Sequence, residues 1–202
     1  MSIGKVYVAS KKMRGSWAAR PEGVVLLDVT SSQGKTSKRR RDFSPMSPIE
    51  GGYKGFYCFE NYWQSGKLIE GCDRKKQIAW WKKQTKGKRR YPNSSGKRVF
   101  CALFGDGPPM DYVESRKKIY VPEYYELMKD TESFSEFKTL VQSGADVVVY
   151  DFDGPRTIDG DNQCIEISLE LLKKKIVETR HPFGQGYVVA GALLGITPEQ
   201  YC

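Results

Sequence analysis

Histidine is almost absent from this chain of 202 residues: His181 stands alone, so a histidine-based catalytic triad would have to run through that one side chain. The five cysteines, Cys58, Cys72, Cys101, Cys164 and Cys202, are odd in number, scattered and never spaced C-x-x-C. That pattern indicates neither a disulfide framework nor a zinc site. No stretch approaches the ~20 continuous apolar residues that span a bilayer, and the opening MSIGKVYVAS has no long apolar run after its first charge. The expectation is a soluble, unexported protein without membrane partners, at work in the cytoplasm of a bacterium or an infected cell. Internal repeats are also lacking and no boundary marks a second domain, so a single domain over 1–202 is expected.

What the chain does have is a core and an excess of positive charge. Apolar residues make up 39% and charged residues 28%, with 33 Lys and Arg against 24 Asp and Glu, a formal charge of +9. A disordered tail is excluded, and the expected partners are anionic. KVYVAS and the β-branched run GVVLLDVTSS (23–32) read as strands. The second is apolar on both faces, as in the middle of a covered sheet, and exits into Asp28, Thr30 and Ser31. Residues 31–55 read as a long basic loop, a candidate lid. FYCFENYWQSGKLIEG reads as a helix that includes Leu68 and Ile69 and closes at Gly71, and DRKKQIAWWKKQ as a helix capped by Asp73. Further helices are expected from Asp111 to Pro122, restarting after it, in SFSEFKTLVQSG, and in a stripe of Ile165, Leu169, Leu172 and Ile176. ADVVVYDFDGPR reads as a buried strand, and the Gly-punctuated C-terminal run as helix or strand. The expected fold class is α+β, a small sheet surrounded by several helices.

Four groups of residues carry candidate chemistry. At 100° per residue, Glu60, Trp63, Gln64 and Lys67 share one side of their expected helix, where they either serve a ligand or face water around a core tryptophan. Strand alternation sends Asp151 and Asp153 to one face before Arg156, either as two acids lining a pocket or as turn residues of Asp-Gly-Pro. Beyond His181 and Phe183, Gly184 and Gly186 offer backbone amides to an anion, or else allow close helix packing. The basic runs Lys38-Arg39-Arg40-Arg41 and Lys86-Gly87-Lys88-Arg89-Arg90 suit nucleic-acid phosphates or simply solvated loops.

In this order the segments resemble the NADAR family, small α+β proteins associated with NAD and ADP-ribose chemistry. The resemblance rests on the polar strand exit, on Phe43-Ser44-Pro45, and on Glu60-Asn61-Tyr62-Trp63-Gln64-Ser65-Gly66-Lys67, and covers mainly residues 28–71. The family's late tryptophan and asparagine are missing from PFGQGYVVAGALLG. The resemblance implies metal-independent hydrolysis of an N-glycosidic bond in an ADP-ribosyl or ribosylamino substrate, with no cofactor and Glu60 in the catalytic site. Asp151 or Asp153 takes the second acid's place by position. Gln64 and Lys67 would support the face that receives ribose and phosphates, and Asp28, Ser31, Ser44 and Tyr62 would line it. Trp63, Tyr53 or Phe56 would stack on the base, and Arg116, with Arg156, His181, Phe183 and the glycine amides, would complete the ligand contacts. A nucleotide or ADP-ribose ligand is expected, with nucleic acid a further partner. Two other classes fit the same residues: a protein that captures the nucleotide without turnover, and a nucleic-acid-binding protein with a vestigial pocket.

Overall fold

The computed structural model describes residues 2–13, 15 and 20–202, and they adopt an α+β architecture of helices with a small mixed sheet. The chain forms two compact units. The first comprises residues 1–44 and 121–202, and the second is the intervening Pro45–Tyr120. Both junctions fall where local sequence gives little warning, inside the run 31–55 and inside a continuous helical stretch.

The first unit is built on β1 (Val6–Ser10), β2 (Val25–Asp28), β5 (Val147–Asp151) and β6 (Cys164–Glu166), in the order β2-β5-β1-β6. β5 lies parallel to both β1 and β2, with Val6 and Val25 each opposite Val147, while β6 runs antiparallel to β1. All five β5 residues are buried, as a strand covered on both faces requires. β2, expected in the middle of the sheet, is instead an edge strand. Its Leu26 is 39% exposed, and the central places go to β1 and β5, whose valines are wholly buried.

Helix α1 (Lys38–Phe43) occupies part of the expected loop and lid. Ser37 caps it by accepting from the Arg40 amide, and Phe43 anchors it at 0% exposure. Asp42 joins it to α6 (Glu132–Gln142) by accepting from the Ser133 amide at 3.1 Å and hydroxyl at 2.6 Å. Lys38 and Arg39 pair with Glu132 and Glu136. A run of four charges thus becomes a helix because its short side anchors into protein, a contact that local periodicity does not reveal. The C-terminal run resolves as α8 (Gln185–Leu193), buried at every position. It packs against β1, β5, α6, α5 (Val121–Met128) and α7 (Leu169–Val177), which explains why it is apolar all round. The expected helical stripe from Ile165 begins only at Leu169, because Ile165 belongs to β6 and Ser168 caps α7 by accepting from the Leu171 amide at 3.1 Å.

The second unit holds α2 (Phe59–Ser65), β3 (Lys67–Ile69), α3 (Arg74–Lys82), β4 (Val99–Ala102) and α4 (Tyr112–Ser115). α4 leads into a π-helical stretch, Arg116–Tyr120, so the helix runs on into α5 and does not stop and restart at Pro122 as expected. Helix α2 is shorter than expected: Leu68 and Ile69 pair with β4 as strand β3, and Phe104 lies against Gly66, where no side chain would fit. The core is aromatic, with Phe59, Tyr62, Trp63, Phe104 and Tyr120 in mutual ring contact. Asp73 caps α3 as expected, accepting from the Lys76 amide at 2.8 Å. No helix among the described residues is long and apolar enough to cross a membrane, and none of the five cysteines is joined in a disulfide.

Candidate functional site

In the second unit, Glu60 and Gln64 lie on α2, whose buried residues are largely aromatic. The backbone of Glu60 is held by Pro45, whose carbonyl accepts its amide at 2.8 Å. Its side chain is oriented by Gln64, one turn on, whose Nε2 donates to Oε1 at 2.8 Å. Lys67 is not on the helix, as β3 begins there, yet its ammonium stays within the field of the Glu60 carboxylate. Burial holds the Lys67 pKa below that of an ordinary lysine; the Glu60 charge opposes this and the Arg90 charge adds to it. A carboxylate held by Gln64 within the electrostatic field of a partly desolvated ammonium can stabilise charge changes on a molecule that binds there.

Next to Glu60, Asn61 is wholly buried and clamps the second basic run. Its Nδ2 donates to the Lys86 carbonyl at 3.0 Å and its Oδ1 accepts from the Lys88 amide at 2.8 Å. Lys54 lies over the Tyr62 ring, 4.7 Å from its centroid, and donates to the Tyr62 hydroxyl at 3.3 Å.

In the first unit the carboxyl ends of the parallel strands carry the second group. Asp28, at the end of β2, is bound by Lys11 at 3.1 Å and accepts from the Thr30 hydroxyl at 2.6 Å; Lys11 also donates to that hydroxyl at 2.9 Å. Asp151, at the end of β5, is 1% exposed, and its Oδ2 accepts from the Gly186 amide at 2.8 Å. A Cβ on Gly186 would lie 2.7 Å from the Asp151 Cβ, and one on Gly184 would collide with the same carboxylate. The glycines therefore admit an acid of the chain itself to the first turn of α8, where a carboxylate suits the exposed amides and the dipole. The anion cradle expected at Gly184 and Gly186 is filled by Asp151. Burial lifts the Asp151 pKa to about 6, helped by the Asp153 charge and opposed by the amides of Gly186, Phe152 and Asp153.

No protein-family model, curated protein or solved structure matches the chain.

The expected site residues thus divide between the two units. Glu60, Tyr62, Trp63, Gln64, Lys67 and Arg116 lie in the second, whereas Asp28, Ser31, Ser44, Asp151, Asp153, Arg156, His181, Phe183, Gly184 and Gly186 lie in the first. Strand alternation does not extend to Asp153, since β5 ends at Asp151 and Asp153 sits exposed in the turn beyond. Trp63, expected to stack on a base, is 8% exposed, with Phe104 stacked on it at 5.7 Å and Tyr120 at 5.1 Å. Phe56 is equally buried, while Tyr53 keeps partial exposure at the edge of Phe59 and Tyr62. Arg116 is 1% exposed beneath Tyr112, 4.4 Å from its ring centroid, so it braces the fold and offers no open phosphate contact. Ser44 ends α1 and is buried. Arg156 is exposed beyond β5, Ser31 and His181 are half-buried, and Phe183 is buried in a stack with Tyr187 at 4.9 Å. Lys11 and Asn61 were not singled out from the sequence. The one signal for Asn61 is its place beside Glu60 in a helix whose other buried residues are Phe59, Tyr62, Trp63 and Ser65.

Proposed function

We propose that the second unit is an N-glycosidase of NADAR type, which cleaves the bond between ribose and base in an ADP-ribosyl or ribosylamino substrate. The observation that carries this reading is the Glu60 carboxylate, fixed by Gln64 at 2.8 Å and coupled electrostatically to Lys67. The hydrogen bond from the Glu60 amide to the Pro45 carbonyl supports it, because it ties the proline of the sequence pattern to the start of Glu-x-x-x-Gln-x-x-Lys.

As the bond from C1′ to the base nitrogen breaks, its electron pair leaves with the base and positive charge develops on the ribose ring. Glu60 stabilises that oxocarbenium-like centre and accepts a proton from the water that attacks C1′. Lys67 is the cluster's proton donor to the departing nitrogen, a role favoured by burial that makes its ammonium more acidic than in water. Tyr53, the aromatic that keeps exposure, is the stacking surface for the base. Asp151 has no step here, because its carboxylate is committed to α8.

Incubation of the protein and of Glu60→Gln with ADP-ribosylated oligonucleotides and with NAD, reading released ADP-ribose and free base by mass spectrometry, tests the proposal. Release by the native protein alone is the expected result. Binding of ADP-ribose by both proteins without release by either makes the site a capture module.

A further inference from the structure

The net charge of this protein is segregated. Pro45–Tyr120 carries 16 Lys and Arg against 7 Asp and Glu, a surplus of +9, while the remaining residues carry 17 of each sign. The whole formal charge of +9 therefore resides in the second unit. Even if every acid of that unit were matched to one base, nine cations would exceed them. The other basic run, Lys38–Arg41, shows what balance looks like, since it meets Glu132, Glu136 and Asp42.

Much of the surplus is exposed along a stretch of the chain that also carries aromatic rings. Lys82, Lys83, Lys86, Arg89, Arg90, Lys97 and Arg98 are all exposed. Phe100 on β4 is 52% exposed, and the Arg98 guanidinium lies 5.4 Å above its ring. Trp80 and Tyr91, both partly exposed, meet edge to face at 5.3 Å. The segment that bears these groups is held at both ends. Asn61 clamps Lys86 and Lys88, and the Glu70 amide donates to the Arg98 carbonyl at 2.9 Å. A loop that only had to keep the protein in solution would not require a wholly buried asparagine to fix its backbone.

We propose that this face of the second unit, from Lys82 through the 86–98 segment to Phe100, binds single-stranded nucleic acid, the cations holding phosphates and Phe100 with Tyr91 providing rings on which bases stack. Exposed aromatics among cations distinguish a single strand from a duplex, whose bases are already stacked, and from a membrane surface, which selects charge without ring-to-base contact. The surface is independent of Glu60 catalysis and stands whether or not the glycosidase reading does.

The test is fluorescence anisotropy with a labelled 20-nucleotide oligo(dT) and its duplex, alongside polyphosphate and vesicles containing anionic phosphatidylserine as competitors. Expected is tighter binding of the single strand than the duplex, with affinity falling about 10²-fold between 50 and 200 mM salt, as for some five or six phosphate contacts. Phe100→Ala is expected to weaken binding about tenfold without changing the salt slope, and Arg89→Glu with Arg90→Glu to lower both affinity and slope. Arg39→Glu is expected to leave binding unchanged, and thermal melts of each variant establish that it is folded. Equal binding of polyphosphate and oligo(dT), indifference to Phe100→Ala in a folded variant, preference for vesicles, or no binding at 50 mM salt each overturns the proposal.

Discussion

The two units solve the problem of a polar site in opposite ways. In the first, charges are equal in number, and three of its acids are met by groups of the chain itself: Asp28 by Lys11 and Thr30, Asp42 by Ser133, one Asp151 oxygen by the α8 amide. In the second, the cations outnumber the acids by more than two to one, and Glu60, Gln64 and Lys67 adjoin an aromatic core and a basic segment clamped by Asn61. Polar groups satisfied by the protein itself stabilise and specify a fold, whereas a surplus of one charge costs self-repulsion unless something of opposite sign arrives. The difference teaches that an acid noticeable in the sequence, as Asp151 is, is not thereby one available to a ligand.

The strongest way to break this contrast is to compare carboxylates. Glu60→Gln should lower the rate of glycosidic release by about 10²–10⁴-fold with little change in melting temperature, the range for losing a positioned acid–base group. Asp151→Asn should leave the rate intact. The reverse pattern would move catalysis to the first unit.

Next in size is the pH dependence of the first unit. The Asp151 pKa is raised in the folded protein, from 3.8 to about 6. The unfolded chain thus loses this proton at lower pH than the folded one. The contribution is present below about 4 and lost as pH rises through about 6, a difference on the order of 3 kcal/mol. Denaturant unfolding of the native protein and Asp151→Asn from pH 4 to 7 should show a decline in the native protein that the variant lacks; parallel profiles would refute the assignment.

Gly186→Ala places a methyl group 2.7 Å from the Asp151 Cβ and should cost about 1–3 kcal/mol in the same measurement. The smallest effects compare caps. Ser37→Ala in the first unit and Asp73→Ala in the second each remove an acceptor from a helix start and should each cost about 1 kcal/mol. A Ser37 effect near zero would mean that α1 is held by its tertiary contacts alone.

Local features of the sequence carried much of this. The strands Val6–Ser10 and Val147–Asp151, the Asp73 cap and the helix Glu132–Gln142 follow from β-branched runs, capping chemistry and apolar spacing. The α1 helix was hidden because its stability comes from Asp42 and Phe43 meeting distant residues, and β3 because a three-residue strand after a helix leaves no period to detect. Of the candidate site, the Glu60–Gln64 pair was legible from i,i+4 spacing. The burial of Trp63 was not, because helical phase says which side a ring takes but not what lies against it.

By itself the sequence determined the α+β class, the excess of positive charge, the isolated histidine and the spacing of Glu60 from Gln64, all properties of composition or of neighbours along the chain. Only the tertiary structure decided that the charge belongs to one unit, that Gly184 and Gly186 receive Asp151 in place of a phosphate, and that Asn61 fixes the basic segment. Each of those outcomes is a contact between residues well separated in sequence, and which distant groups meet is settled by the packing of the whole core, where burial makes an acid seek an amide and leaves other charges to the solvent.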